Sequence, residues 1–324
     1  MARAKDRGKA ELKQPQERPL HMEELVWKGI TWINIEEPTE RETTYLAERF
    51  PFHPLDLDDT LSRIQRSKLD EYSEYLFLVL NFPAYDKQLR VTRASQVSIF
   101  IGEGYLVTLH KGDLKPLVKF FRECQLGEEF REEAFSHGSG YIVYRIIDRL
   151  VDYCLPILNK IADNIEDTED DIFARRTSLK AIEGISVLRR AIITFRRIIW
   201  PLRAVMGSVE SRVRRFSDID LSVYFGDTVD HIDKVWDGLD EYKEVIEGIN
   251  DTFDSMASNR INEVLKVLTI LATVGAVMTV IASFYGMNVI LPGQNNPFSW
   301  VILLVGMLLL GVIMLFYFRR KNWF

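Results

Sequence analysis

Eight carboxylates recur at steps of three and four residues: Asp230, Asp233, Asp237, Asp240, Glu244, Glu247, Asp251 and Asp254. On an α-helix that spacing places all of them on one face, where like charges repel. Two chemistries relieve the repulsion. Basic side chains of a neighbouring helix can pair with the acids, and Arg189, Arg196 and Arg203 recur at seven-residue steps with Arg190 and Arg197 beside them. Alternatively, the acids draw divalent cations toward a mouth. Both readings stay open from the sequence. A second stripe keeps the same spacing but carries no charge: Asn262, Leu265, Thr269, Ala272, Ala276, Thr279, Ser283 and Gly286. Small, weakly polar side chains along an apolar helix serve close helix packing, or they line a path with room for a hydrated ion.

The elements that carry these stripes follow from composition. The chain has 324 residues, with 41 Lys+Arg and 47 Asp+Glu, a formal charge of −6. From Val267 to Phe318 no charged residue occurs, whereas Arg319, Arg320 and Lys321 follow immediately. About 20 apolar residues cross a bilayer core, so this stretch holds two spans, at 263–284 and 298–318. The loop between them, 285–297, is broken by Gly286, Pro292, Gly293 and Pro297. Basic residues flank the spans on the side away from that loop, which places both termini in the cytoplasm. A purely soluble protein is excluded, and two spans per chain enclose no water path without further copies.

The remainder divides as a polar tail at 1–24, an α/β domain at 25–139, a helical hairpin at 140–220, a stalk helix at 221–262 and a basic C-terminus at 319–324. In the α/β domain WKGITWINI, YLFLVLNFP, SQVSIFI and YLVTLH read as strands, and helices are expected over 38–50 and 114–124. Helices at 178–213 and from 221 onward follow, the last unbroken by Pro until Pro292. The acidic balance argues against a nucleic-acid partner. The five histidines are scattered without a nucleophile–base spacing, no GxxxxGK[ST] motif is present, and the expectation is no enzyme and no organic cofactor. Cys124 and Cys154 read as buried reduced thiols, and His231, beside Asp230, as a salt-bridge or packing residue.

Tyr285-Gly286-Met287-Asn288 at the end of the first span resembles the signature of the CorA family of divalent-cation channels. FHPLDLDD at 52–59, IIWPLR at 198–203, DTVDH at 227–231, NEVLKVLTILAT and the C-terminal YFRRKNWF resemble the same family. The resemblance implies an α+β cytoplasmic domain with a mixed sheet, a long stalk helix and two transmembrane helices, assembled as a funnel-shaped homopentamer in the bilayer. Its cargo would be Mg²⁺ or a related divalent cation. By resemblance, Asn288 forms an amide ring at the outer mouth, Gly286 gives backbone room and Met287 packs. Mg²⁺ gives up its water reluctantly, and a neutral amide can accept hydrogen bonds from that water. Asn262 would form an inner polar ring, Leu265 and Leu268 an apolar gate that closes by dewetting, Thr279 a further lining position and Asp251 the inner mouth.

Ala276 departs from the family pattern, in which relatives often carry Met. Asp227 matches a regulatory Mg²⁺ site between subunits, with Asp86 as its counterpart, although a second acid beside Asp86 is missing. The loop VILPGQNNPFSW also lacks the acids that relatives often place after the signature. Two alternatives remain: transport of Zn²⁺, Co²⁺ or Ni²⁺, proton-coupled as in ZntB-like relatives, and a membrane-anchored sensor or scaffold that does not conduct.

Overall fold

The computed structural model describes residues 20–62, 65–86, 91–173, 179–288, 297–321 and 323. They form two compact units, up to Ile246 and from Glu247 onward. The first unit is built on a six-stranded sheet: β1 (Met22–Trp27), β2 (Ile30–Glu36), β3 (Lys68–Glu71), β4 (Tyr75–Asp86), β5 (Val91–Gly102) and β6 (Tyr105–His110), in the spatial order β1-β2-β6-β5-β4-β3. Every neighbouring pair is antiparallel except β2 and β6, which run parallel with Thr31 opposite Tyr105 and Glu36 opposite His110.

Where one strand was expected across WKGITWINI, the chain makes a hairpin. Lys28 and Gly29 both adopt positive φ, 46° and 81°, the backbone of the two-residue turn that matches strand twist. The strand before it takes in Met22–Glu24, which the sequence places in the tail. The turn between β5 and β6 places Gly104 at φ of +74°, which favours glycine, and at the end of β5 the Tyr105 ring lies over Gly102 where a Cβ would sit.

Helices cover both faces of the sheet. On one face α1 (Glu40–Arg49) and α2 (Pro54–Leu61) bury Leu46 and Leu57 against Ile33, Ile35, Phe77, Phe100 and Val107. Thr39 caps α1 in a capping box with Glu42, and Pro54 opens α2 behind the His53 cap. On the other face Trp32 is fully buried beside Phe120 and Phe121 of α3 (Lys115–Leu126), with ring centroids 5.5 and 4.9 Å away. The run Leu76–Leu80 in β4 is fully buried on both sides, which explains why it reads as continuous apolar sequence rather than alternation. Next come α4 (Glu128–Ala134), α5 (Ser139–Asp152), α6 (Cys154–Phe173), α7 (Leu179–Val213), α8 (Ser222–Tyr285) and α9 (Ser299–Arg320). Cys124 and Cys154 are buried free thiols.

A buried relay ties β2 to β6. The Trp32 indole N–H donates to Thr108 Oγ1 at 3.0 Å, the Thr108 hydroxyl donates to Asn34 Oδ1 at 2.7 Å, and His110 Nε2 donates to the same oxygen at 3.0 Å. The Gly112 N–H donates to His110 Nδ1 at 3.0 Å, so the ring is satisfied as the neutral tautomer. Burial pulls its pKa down to about 4. Unfolded histidine titrates near 6.5, so the unfolded chain binds the extra proton first. The stabilisation from the neutral ring is complete above about pH 6.5 and fades as pH falls towards 4, by about 3 kcal/mol. Melting of the full-length protein across that range should show this loss, and His110→Gln should flatten it. Parallel pH curves for the two proteins would refute the assignment.

Candidate permeation and regulatory sites

The acidic stripe lies along α8. In the first unit, Arg203 of α7 pairs with Asp233, its Nη2 donating to Oδ2 at 3.1 Å, and Arg196 pairs with Asp240. The Arg196 guanidinium also sits 4.4 Å over the Trp236 ring, and Trp236 packs on Trp200 with centroids 5.2 Å apart. The salt-bridge reading therefore accounts for part of the stripe, within one chain and in antiparallel order. These pairs are open to solvent, which screens them, so they position the two helices more than they stabilise them.

Among the described residues, His231 pairs with neither its neighbour Asp230 nor an arginine. Its Nδ1 lies 3.0 Å from Asp152 Oδ1 on α5, and its Nε2 lies 4.0 Å from Asp227 Oδ2. Asp148, one turn before Asp152, completes the group. Its carboxyl is pushed above the usual range by burial first and then by the charges of Asp152 and Asp227. Asp148 and Asp152 are absent from the sequence-derived candidates. Their only sequence signal is the i, i+4 spacing of two acids on a helix that is otherwise largely buried. Asp227 is mostly exposed. Asp86 ends β4, and its side chain lies outside the described residues.

In the second unit, α8 and α9 are apolar enough to cross a membrane. The packing between them is specific. Gly311 is buried on α9, and the place its Cβ would occupy is taken by Met278, with Val274 next to it. Within the span, Ile270 is buried and Thr273, Val274, Val277, Met278 and Ile281 are half-buried. At 3.6 residues per turn, Asn262, Leu265, Thr269, Ala272, Ala276, Thr279 and Ser283 centre about 170° away from Val274 and Met278, the pair that meets Gly311. All seven are exposed, as are Leu268, Tyr285, Gly286, Met287 and Asn288. The polar stripe thus lies opposite the side that meets α9. Two threonine hydroxyls of the span turn back onto the helix: Thr273 donates to Thr269 O at 2.6 Å and Thr279 to Gly275 O at 2.8 Å. Each hydroxyl oxygen keeps lone pairs for water.

Helix α8 ends at Tyr285, where the Gly286 N–H donates to Ala282 O at 2.9 Å and the Met287 N–H to Phe284 O at 3.4 Å. Asn288 follows with its amide making no hydrogen bond to a described residue. The rest of the loop, 289–296, lies outside the described residues. At the other end of the span, a cavity of about 520 Å³ is bordered by Asn259, Asn262, Glu263, Leu265, Lys266, Thr269 and Trp323. Asp251 lies exposed on α8 in the same unit. Trp323 is not among the sequence candidates, although the basic-aromatic ending Tyr317–Phe324 marks its neighbourhood. Among the described residues, no group of three or more His, Cys, Asp or Glu is arranged to hold a metal ion directly. The neutral oxygens of the α8 stripe can meet an ion through its water.

An α+β domain, an apolar helix with an uncovered polar stripe and a second apolar helix ending in Arg319, Arg320 and Lys321 define a two-span integral membrane protein. Comparison with known proteins gives the lineage: the CorA-like Mg²⁺ transporter family profile matches residues 27–320, and the chain belongs to that family. It is 32% identical over 305 residues to the cobalt/magnesium transport protein CorA of Thermotoga maritima, covering 90% of this chain and 83% of that one. It is 23% identical over 295 residues to the cobalt/magnesium transport protein CorA of Methanocaldococcus jannaschii, covering 91% of each. The complete structure of the CorA magnesium transporter from M. jannaschii superposes with a TM-score of 0.81 over 91% of this chain and 92% of the other, at 23% identity, and so shares the fold.

Proposed function

We propose that the protein is a homo-oligomeric channel, five copies around one axis, for passive uptake of hydrated divalent cations, with Mg²⁺ the principal cargo. The observation that carries this reading is the polar stripe of α8, uncovered by α9 and running into Gly286-Met287-Asn288. In a ring of copies that face turns to the axis. Asn288 then offers amide oxygens to the water shell of an arriving ion, and Asn262 offers a second such ring. Leu265 and Leu268 close the path by dewetting, with Thr269, Ala272, Ala276, Thr279 and Ser283 between the rings. Asp251 gathers cations at the inner mouth. Transfer of two charges through 100 mV is worth about 4.6 kcal/mol, enough to drive entry without a coupled reaction. Hard, hydrated ions suit neutral oxygen ligands, whereas Zn²⁺ prefers nitrogen or sulfur, and the span holds no His or Cys.

Proteoliposomes test this directly. Mg²⁺ flux should appear with the protein and be competed by Co²⁺ more than by Zn²⁺. Permeability equal to that of empty vesicles would favour a non-conducting sensor, and Zn²⁺ flux that follows a proton gradient would favour the ZntB-like reading.

Regulation by internal Mg²⁺ is proposed at Asp227. Its neighbours Asp148 and Asp152 and its counterpart Asp86 are hard oxygen donors of the kind a hydrated Mg²⁺ accepts. Asp227→Asn should raise the internal Mg²⁺ needed for closure about fivefold or more, and Asp227→Lys should remove the response. An unaltered Mg²⁺ dependence of flux in both variants rules the site out.

A further inference from the structure

The one parallel pair of the sheet opens onto a cavity that the transport reading does not use. Ligands of open α/β sheets lie beyond the carboxyl ends of parallel strands, and β2 and β6 end side by side at Glu36 and His110. The chain leaves both strands through unusual backbone. Glu37, a non-glycine residue, has φ of +55°, and its N–H donates to His110 O at 2.8 Å. Gly112, just past β6, has φ of +75°. A left-handed residue that is not glycine costs free energy, and such strain gathers at functional sites.

Against these two exits lies a cavity of about 560 Å³, the size of a single small-molecule site. Its walls divide by chemistry. Pro38, Leu61, Ala94 and Leu109 supply apolar surface, and Gln96 and Thr60 are buried polar neighbours. Two cations, Arg93 from β5 and Lys111 from the β6 exit, stand exposed at the lining. Of the two carboxylates, Asp113 is occupied: it accepts from the Ser95 hydroxyl and faces Arg93 Nη2 at 3.8 Å. Glu37 is exposed at the strained turn.

This distribution selects among ligand classes. A bare inorganic anion would leave the apolar walls and Glu37 unused. A purely apolar ligand would cover Lys111 and Glu37 without pairing either. A molecule with an anionic phosphate at one end, a flat ring and hydroxyl or amino donors at the other satisfies all three parts. Phosphate goes to Lys111, with Arg93, beside Asp113, at the same rim, the ring to Leu61, Ala94 and Leu109, and the donors to Glu37. We propose that this cavity binds a nucleoside phosphate. The site lies within the α/β unit and stands whether or not the chain conducts ions.

The test uses full-length protein in detergent, with free Mg²⁺ buffered to one value because nucleotides chelate it. Thermal melting is followed with AMP, ADP, ATP and inorganic phosphate as probes, and affinity is measured by calorimetry for the strongest. The expected result is a rise in melting temperature with at least one nucleotide, larger than with phosphate at equal concentration. Lys111 is exposed and pairs with no described residue, so its replacement spares the fold. Lys111→Ala should weaken binding about tenfold, Lys111→Glu should abolish it and Lys111→Arg should preserve it. No shift with any nucleotide overturns the proposal. So does a nucleotide shift undiminished in Lys111→Glu, which would place binding elsewhere, or a phosphate shift as large as the nucleotide's, which would remove the nucleoside from the assignment.

Discussion

Replacing Asn288 by Ala should reduce Mg²⁺ flux into proteoliposomes by at least about tenfold and weaken the preference for Mg²⁺ over Co²⁺. A hydrogen bond to a charged or strongly polarised partner contributes about 1.5–3 kcal/mol, and 1.4 kcal/mol is tenfold in binding. In a ring every copy loses its amide at once. The fold should be indifferent, because Asn288 is exposed and its amide makes no hydrogen bond to a described residue. An unchanged melting temperature would separate a permeation defect from unfolding. Asn288→Asp offers a sharper comparison: it keeps one oxygen but adds a charge at each copy, so it should bind divalent ions more tightly and release them more slowly. Wild-type flux and selectivity in Asn288→Ala would refute the outer-ring assignment.

Trp32→Ala should destabilise the α/β unit by about 3–5 kcal/mol, a large share of the 5–15 kcal/mol typical of a domain. The indole is fully buried, packs edge-on to Phe121 and tilted to Phe120 and Phe135, and donates the first hydrogen bond of the relay to Asn34 and His110. Its loss leaves both a void and an altered polar chain. Trp32→Phe should recover most of the packing but not the hydrogen bond, at a cost of about 1–2 kcal/mol. Trp300, largely exposed on α9, provides a control whose replacement should leave the melting of the α/β unit unchanged. Equal melting curves for Trp32→Ala and wild type would mean that the sheet does not depend on this centre.

The sequence displayed what is periodic and concealed what is joined across distance. Helix α8 was legible because Ser222–Tyr285 contains neither Pro nor a cluster of breakers, and its two stripes are sums of local spacings. The pairing of Arg196 and Arg203 with Asp240 and Asp233 was half legible. Both pairs of residues are seven apart, but which acid meets which base depends on the antiparallel approach of α7 to α8. The β1–β2 hairpin was missed because Lys28-Gly29 lacks the Asn-Gly or Asp-Gly signal. Strand β3, KLDE, has a single apolar residue and is recognised only by pairing with β4. Asp148 and Asp152 join Asp227 and His231 only because α5 folds against α8, a juxtaposition with no local trace. In the membrane unit, the opposition between the polar stripe and the α9-facing side became visible once Gly311 was seen to receive Met278.

The parallel seam between β2 and β6 has a consequence for biosynthesis. Thr31 waits for Tyr105, and at about 5–20 residues per second a ribosome needs roughly 4–15 s to deliver the intervening chain. During that interval β2 offers a bare, apolar edge on its later-occupied side, the type of surface that recruits stray strands. A nascent chain stalled before residue 105 is therefore the form in which chaperone dependence and aggregation should be greatest, well before either hydrophobic span has been synthesised.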